Sequence, residues 1–309
     1  MGDTKIEWTD KTWSPLRARV RADAAAIARA KGYTSLVQIA GRMAGRVGPH
    51  CERVSHGCEN CYSKTGNARC LPANGTGLTF DRRSRDLVEP FVDEKILMQP
   101  LKWRGAKKIF VENQSDLFGE WHTDEMIDRV LAVGALCPQH TLQLLTKRPE
   151  YALEYFTRGG SERWGRVFNR VRFLPNVWVG VSVEDQATAE ARSEILRKIP
   201  AAVRFISQEP QLSAINWTPE MLCGISWVII GGESGPGARP FDIQWARDTL
   251  RQCREAGVAV FVKQLGRVPF CSVQSISLES FSPIKDRKGG HMSEWPSDLR
   301  VREFPEVAA

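Results

Sequence analysis

The stretch SWVIIGGESG, residues 226–235, decides the fold. Trp227 to Ile230 form a nearly continuous apolar run, and a strand reads that way when both of its faces are covered, as in a parallel sheet. Gly231, Gly232, Glu233 and Ser234 then stand at the C-terminal tip of that strand. Outward from it, the same succession of apolar run, polar tip and helix-like stretch recurs in KKIFVENQSD (107–116), TLQLLTKRPE (141–150), NVWVGVSVED (176–185), VRFISQEP (203–210) and VAVFVKQLG (258–266). Strands that alternate with helical segments imply βαβ units. Two weaker runs, KIEWTDKTW (5–13) and LTFDRRSRD (78–86), raise the count to eight. Eight such units predict an α/β fold, a (β/α)8 TIM-type barrel or a close variant, with function at the strand tips.

Those tips carry ionisable and amide groups: Glu112, Asn113, Ser115 and Asp116, then Lys147 and Arg148, Glu184, Glu209, Glu233, Lys263 and Gln264. Glu209 precedes Pro210, whose ring restricts it to an extended conformation that would aim it at the barrel mouth; its bland alternative is an ion pair with Lys147 or Lys263. Lys147 and Arg148 suit an anion such as a carboxylate or phosphate. Residues 17–50, Ala-rich at first and punctuated by Gly32, Gly41, Gly45 and Gly48, read as an insertion of one or two helices. Residues 1–268 are expected to form one barrel domain with that insertion, and 269–309 an irregular C-terminal cap.

Composition sets the environment. With 309 residues, 42% hydrophobic and 26% charged, the chain has room for one substantial core. Its polar start, MGDTKIEWTDKTWSP, lacks the basic start and apolar core of a secretory signal, and no apolar run approaches the roughly 18–20 residues needed to cross a bilayer. A cytoplasmic, non-membrane protein is expected, and there clustered cysteines more often bind metal than form disulfides. The net charge of +7 suits an anionic partner, and much of the excess lies between Arg17 and Arg46 and in DRRSR, 81–85. Such runs fit contact with DNA or another nucleic acid, or simply a solvated basic surface.

Three of the eight cysteines fall in CERVSHGCENCY, residues 51–62. Cys51, Cys58 and Cys61 admit disulfides, a zinc site with Cys70 or His56 as fourth ligand, or a [4Fe–4S] cluster with one iron left to an outside chelate such as S-adenosylmethionine. In a barrel, the loop after the first strand would carry these thiolates to the mouth. Cys137, Cys223, Cys253 and Cys271 are isolated and read as small core residues.

KIEWTDKTWSP, CERVSHGCENCY, NQSDLF, LLTKRPE, VWVGVSVEDQ, FISQEP, WVIIGGESGPGARP and FVKQLG together resemble the phage-encoded three-Cys-motif family, a phage domain of unknown function. Through its cysteines and expected barrel the chain in turn resembles the radical S-adenosylmethionine superfamily. It departs from that superfamily's usual CxxxCxxC: the first gap is longer, Asn60 stands where an aromatic is usual, and Tyr62 comes one residue late. The insertion at 17–50 also interrupts the family-like N-terminal block. The resemblance implies a [4Fe–4S] cluster on Cys51, Cys58 and Cys61 with S-adenosyl-L-methionine on the open iron. It makes Gly231, Gly232, Glu233, Ser234, Tyr62, Ser115 and Asp116 cofactor contacts, the Gly-Gly-Glu tip serving either the methionine amino group or substrate. Glu209, Lys147 and Glu184 become catalytic candidates. The implied reaction is hydrogen abstraction from a nucleic acid or modified nucleotide, in phage DNA modification or repair, with an electron donor and a phage-encoded protein as partners. The alternatives are a zinc-binding barrel with DNA-processing hydrolase activity and a non-catalytic nucleic-acid-binding protein.

Overall fold

Parallel strands form wherever the chain carries its continuous apolar runs, in the computed structural model, which describes residues 4–69, 75–157, 173–272 and 284–306. The chain packs as two compact units, Thr9–Leu144 with the residues up to Lys5, and Leu145 onward with Ile6–Trp8.

In the first unit, β1 (Lys11–Trp13) leads into β2 (Leu16–Val20), the helices α1 (Ala24–Ala30) and α2 (Thr34–Met43), β3 (Val47–Gly48) and α3 (Tyr62–Ala68). A single turn of helix, α4 (Arg82–Arg85), precedes β4 (Val88–Val92); after the short α5 (Glu94–Leu97) come β5 (Lys108–Val111), α6 (Asp124–Leu136) and β6 (Thr141–Thr146). β5 lies between β1 and β6, parallel to both, with Thr12 opposite Phe110 and Ile109 opposite Leu142. β2 sits between β3 and β4 in a separate antiparallel sheet. The small faces of α1 and α2, Ala24, Ala28, Leu36 and Ala40, bury against Ala18, Val20, Leu78, Leu87 and Val88. Alanines allow this close approach and leave the arginines on the opposite faces of both helices.

In the second unit, α7 (Pro149–Tyr155), β7 (Val177–Ser182), α8 (Gln186–Leu196), β8 (Val203–Gln208), α9 (Pro219–Leu222), β9 (Trp227–Gly231), β10 (Phe241–Asp242), α10 (Ile243–Glu255), β11 (Ala259–Gln264) and β12 (Pro269–Phe270) follow in order. β7, β8, β9 and β11 are neighbours in that order, all parallel. β10 and β12 make a small sheet of their own. The core is aromatic: Trp227 is fully buried, with the rings of Trp8, Trp178, Phe205 and Phe261 at 5.8–6.2 Å. Helix starts are fixed by acidic caps. Asp185 accepts the Thr188 N–H of α8 at 2.8 Å, and Asp242 accepts the Gln244 N–H of α10 at 3.0 Å.

The α/β class expected from sequence is present, but the closed eight-stranded barrel is not. The parallel sheet has seven strands and does not close among the described residues. The missing strand is LTFDRRSRD. The Asp81 carboxylate accepts the Ser84 N–H at 3.0 Å and caps α4, so the arginines that follow wind into a helical turn instead of extending. The extended segment after it, β4, pairs antiparallel with β2 and puts Pro90 opposite Ala18. An edge strand tolerates a proline that a central strand would not. No helix among the described residues is long and apolar enough to cross a membrane.

Gly180 lies in the middle of β7, and a Cβ there would come within 2.5 Å of the Phe205 ring. That ring is itself fully buried and cannot swing aside. Gly180→Ala should therefore destabilise the fold by about 1–3 kcal/mol, read from the urea midpoint, through overpacking. An unchanged midpoint would mean that β7 and β8 separate more easily than this packing implies.

Candidate functional site

The segment from His50 to Cys61 has little regular structure, a single 3-10 turn at His56–Cys58, so its ends must be held from elsewhere. Both are held by one place, the turn that follows β5. Before the cysteines, the His50 carbonyl accepts the Ser115 hydroxyl at 2.5 Å. After them, the Tyr62 hydroxyl donates to the Asn113 carbonyl, and the Ser63 hydroxyl donates to the Gln114 carbonyl at 2.6 Å. Three consecutive residues, Asn113 to Ser115, thus close the two ends of the cysteine segment onto one strand tip.

A second fastening lies beneath Cys51. Its neighbour Glu52 is buried and accepts two hydrogen bonds from Arg85, Nε to Oε1 at 2.5 Å and Nη2 to Oε2 at 2.7 Å, while His50 Nε2 lies 3.4 Å from Oε1. Arg85 also reaches Glu120 at 3.0 Å and lies over the Trp121 ring at 5.9 Å. Burial alone would raise the Glu52 carboxyl, but the bonds from His50 and Arg85 and the Arg85 charge bring it down to about 2. The last arginine of DRRSR is thereby taken up inside the protein.

The strand tip is itself unusual. Glu112 has a left-handed backbone, φ 52°, which costs a non-glycine residue on the order of 1 kcal/mol. It is 2% exposed, its Oε1 accepts the Leu16 N–H at 2.8 Å, and Oε2 has no partner. Burial pushes its carboxyl up to about 8, with Asp116 adding to the rise, although the Leu16 N–H and the nearby Arg17 charge favour the anion. Arg17, buried as well, is shifted downward by that burial against the pull of Asp93 and Glu112.

Within the second unit the strand tips hold carboxylates, each facing a cation. Glu184, fully buried past the end of β7, meets Lys147 at 2.5 Å through Oε1 and Arg192 at 3.0 Å through Oε2. Glu209, past β8 in a cis bond to Pro210, takes Lys263 at 2.6 Å and the Gln264 amide at 3.1 Å on Oε1. Glu233, past β9, is gripped by Arg239: Nη2 at 2.7 Å on Oε1, Nε at 3.1 Å and the backbone N–H at 2.9 Å on Oε2. Gly232 is required by the protein's own packing, and Gly231 is tightly packed. A Cβ on Gly231 would lie 3.2 Å from the Glu209 carboxyl carbon, and one on Gly232 would lie 2.8 Å from the Leu265 carbonyl oxygen. Ser234 beside them is half-buried. Paired in this way, the side chains of Lys147, Lys263 and Arg239 are 18%, 15% and 28% exposed.

The sequence-derived candidates therefore divide into two sets. Cys51, Cys58, Cys61, Tyr62, Ser115 and Asp116 belong to the first unit, where Tyr62 and Ser115 fasten the cysteine segment and the buried Asp116 accepts the Phe118 N–H at 3.1 Å. Lys147, Glu184, Glu209, Gly231, Gly232, Glu233 and Ser234 belong to the second. Of the two partners considered for Glu209, Lys263 is the one bonded to it. Sequence reading missed Arg192, Arg239, Glu52 and His50; the linear hints were Arg192 eight residues after Glu184, Arg239 six after Glu233 and His50 two before Glu52.

Cys51, Cys58 and Cys61 are half-buried thiols, none in a disulfide. Among the described residues no group of three His, Cys, Asp or Glu side chains is gathered closely enough to hold a metal. The donor type, three half-buried thiols on one loop, is the kind that iron–sulfur clusters take, but the thiols are not gathered to a common point. The segment suits a closed zinc site less well, because His56 is exposed and turned to Glu59 at 3.3 Å. Cys70, the other fourth-ligand candidate, lies outside the described residues.

Fold and site define an α/β protein with a parallel seven-stranded sheet and a three-cysteine segment fastened to a strand tip. A family model described as a protein of unknown function (DUF5131) matches residues 46–289, and the chain belongs to that family. The match takes in all three cysteines and every parallel strand after β1, and α1 and α2 lie outside it. The family's description names no activity and gives no link to the radical S-adenosylmethionine superfamily. No curated protein and no solved structure matches the chain.

The shift at Glu112 has a measurable sign. Between its ordinary 4.5 and about 8 the folded chain keeps this proton while the unfolded chain releases it, so the group lowers stability progressively as pH rises through that window. Glu112→Gln has no proton to lose. Its stability relative to the parent should rise between about pH 5 and about pH 8 in urea denaturation. A difference independent of pH would show that Glu112 is ionised in the fold.

Proposed function

We propose that this chain is a radical S-adenosylmethionine enzyme that holds a [4Fe–4S] cluster through Cys51, Cys58 and Cys61 and acts on a nucleic acid or a modified nucleotide. The observation that carries the reading is the cysteine segment: three thiols on one loop, with Ser115 before them and Tyr62 and Ser63 after them anchored on a single strand tip. The segment is fastened at both ends and, beside Cys51, through Glu52, which keeps its three thiols on one short loop, where the thiolate ligands of a single cluster must lie. When bound, such a cluster with S-adenosylmethionine supplies one-electron chemistry that ends in hydrogen abstraction from substrate.

The chain's own residues would do the rest. Lys147, Lys263 and Arg239 are cations at the strand ends, and Glu184, Glu209 and Glu233 fix their direction. That suits them to an anionic substrate group such as a nucleotide phosphate. In the first unit, Arg29 and Arg42 are exposed on α1 and α2 and offer a longer phosphate backbone its contacts, whereas Arg17 is buried and Arg85 is engaged by Glu52 and Glu120. A resident zinc is the second reading, and metal analysis separates it from the first.

Anaerobic purification and reconstitution should yield iron and sulfide at about four each per chain, the stoichiometry of a [4Fe–4S] cluster. Replacing Cys51, Cys58 or Cys61 by Ala should abolish the chromophore, and Cys70→Ala should leave it. The reduced protein should cleave S-adenosylmethionine to 5′-deoxyadenosine and methionine. Stoichiometric zinc without iron, or a reducible cluster protein that neither binds nor cleaves the cofactor with nucleic acid present, overturns the reading.

A further inference from the structure

We propose that Glu112 is a positioning residue for the three-cysteine segment, acting through the turn Glu112–Ser115 that its side chain locks in place. The turn is closed by the Ser115 N–H on the Glu112 carbonyl at 3.0 Å. Every hydrogen bond that ties the ends of the cysteine segment to this tip falls on the three residues that follow Glu112. Where those residues point is set by the φ of 52° at Glu112, the one positive-φ non-glycine residue among the described residues.

An asparagine or glycine takes that conformation at less cost, so a glutamate there needs another reason to be present. Reach supplies one. The longer side chain spans to the start of β2, where Oε1 accepts the Leu16 N–H at 2.8 Å, while the Glu112 N–H donates to the Trp13 carbonyl at the end of β1, also at 2.8 Å. Ser14, between them, donates its hydroxyl to Asn113 Oδ1 at 3.1 Å. One residue thus ties the β1–β2 junction to the tip of β5 and fixes the turn on which the cysteine segment hangs. The bond is fully buried, so no water replaces the acceptor if the carboxyl is removed.

The significance of the placement rests on the reading of Cys51, Cys58 and Cys61 as ligands, but the placement can be tested without metal. Peptide-resolved amide hydrogen exchange on the chelator-treated full chain is the measurement. Glu112→Ala should speed exchange across residues 50–65 by about tenfold, the factor set by one lost hydrogen bond of upper-range strength, and leave β7, β8 and β9 unchanged. Glu112→Gln, which keeps the acceptor, should exchange no faster than the parent. Glu112→Gly relieves the backbone but removes the acceptor, and should resemble Glu112→Ala. The proposal is overturned by unchanged exchange in Glu112→Ala, by acceleration spread over both units, or by parent-like behaviour in Glu112→Gly. A selective effect at 50–65 in a chain that takes up no iron would sink the cluster reading and leave the positioning role standing. In a chain that takes up iron, Glu112→Ala should retain less of it than Glu112→Gln after gel filtration, and equal retention would count against the role in ligand placement.

Discussion

The tip of β5 carries an obligation out of proportion to its length. A segment such as His50–Cys61, with little regular structure, depends on its flanks finding partners, since unmade bonds in a partly buried segment cost more than made ones return. Asn113, Gln114 and Ser115 meet this with two carbonyls and one hydroxyl. They can do so because Glu112 turns the chain sharply at the end of the sheet, at the expense of a left-handed backbone and a buried carboxyl with one oxygen unpartnered. Local cost accepted at a strand tip and offset by the surrounding structure is a recurrent mark of functional loops.

Four carboxylates, one in the cysteine loop of the first unit and three at strand ends of the second, are paired with cations in place. Glu52 with Arg85, Glu184 with Lys147 and Arg192, Glu209 with Lys263 and Glu233 with Arg239 are all at least half-buried pairs. Replacing such pairs by apolar residues often leaves stability unchanged or improves it, so their presence argues for orientation or ligand handling more than for fold strength. They also change how the +7 net charge is read. Arg17 and Arg85, counted as part of a basic surface, face inward, whereas Arg29 on α1, Arg42 on α2 and Arg82 and Arg83 on α4 stay exposed.

The parallel strands were legible because WVII, VFV and WVGVS leave no polar face, and a sheet covered on both sides is the only setting that suits them. The eighth strand failed for a local reason that outweighs weak apolar content, the Asp81 cap. The antiparallel sheet went unread because β2, LRARV, alternates apolar and basic residues with its first arginine buried, and reads in sequence as the start of the helical insertion at 17–50, and because β3 has two residues. At the site, the cysteines and the polar tips were visible as residues, but their pairing was not. Nothing in linear order joins Ser115 to His50, 65 residues earlier, or Arg85 to Glu52, 33 residues earlier.

The same distinction bears on the Gly-Gly-Glu tip at 231–233. Read from sequence, two glycines before a glutamate offer backbone to a ligand and a carboxylate to its ammonium. In the fold the glycines make room for Glu209 and the Leu265 carbonyl, and Arg239 already grips Glu233 from three directions. An ammonium arriving there would meet an engaged carboxylate, and its binding would be an exchange of one charge-assisted pair for another. Such an exchange gains little in enthalpy, because the bonds formed and broken are of one kind. It would release a guanidinium whose fork suits a carboxylate or phosphate.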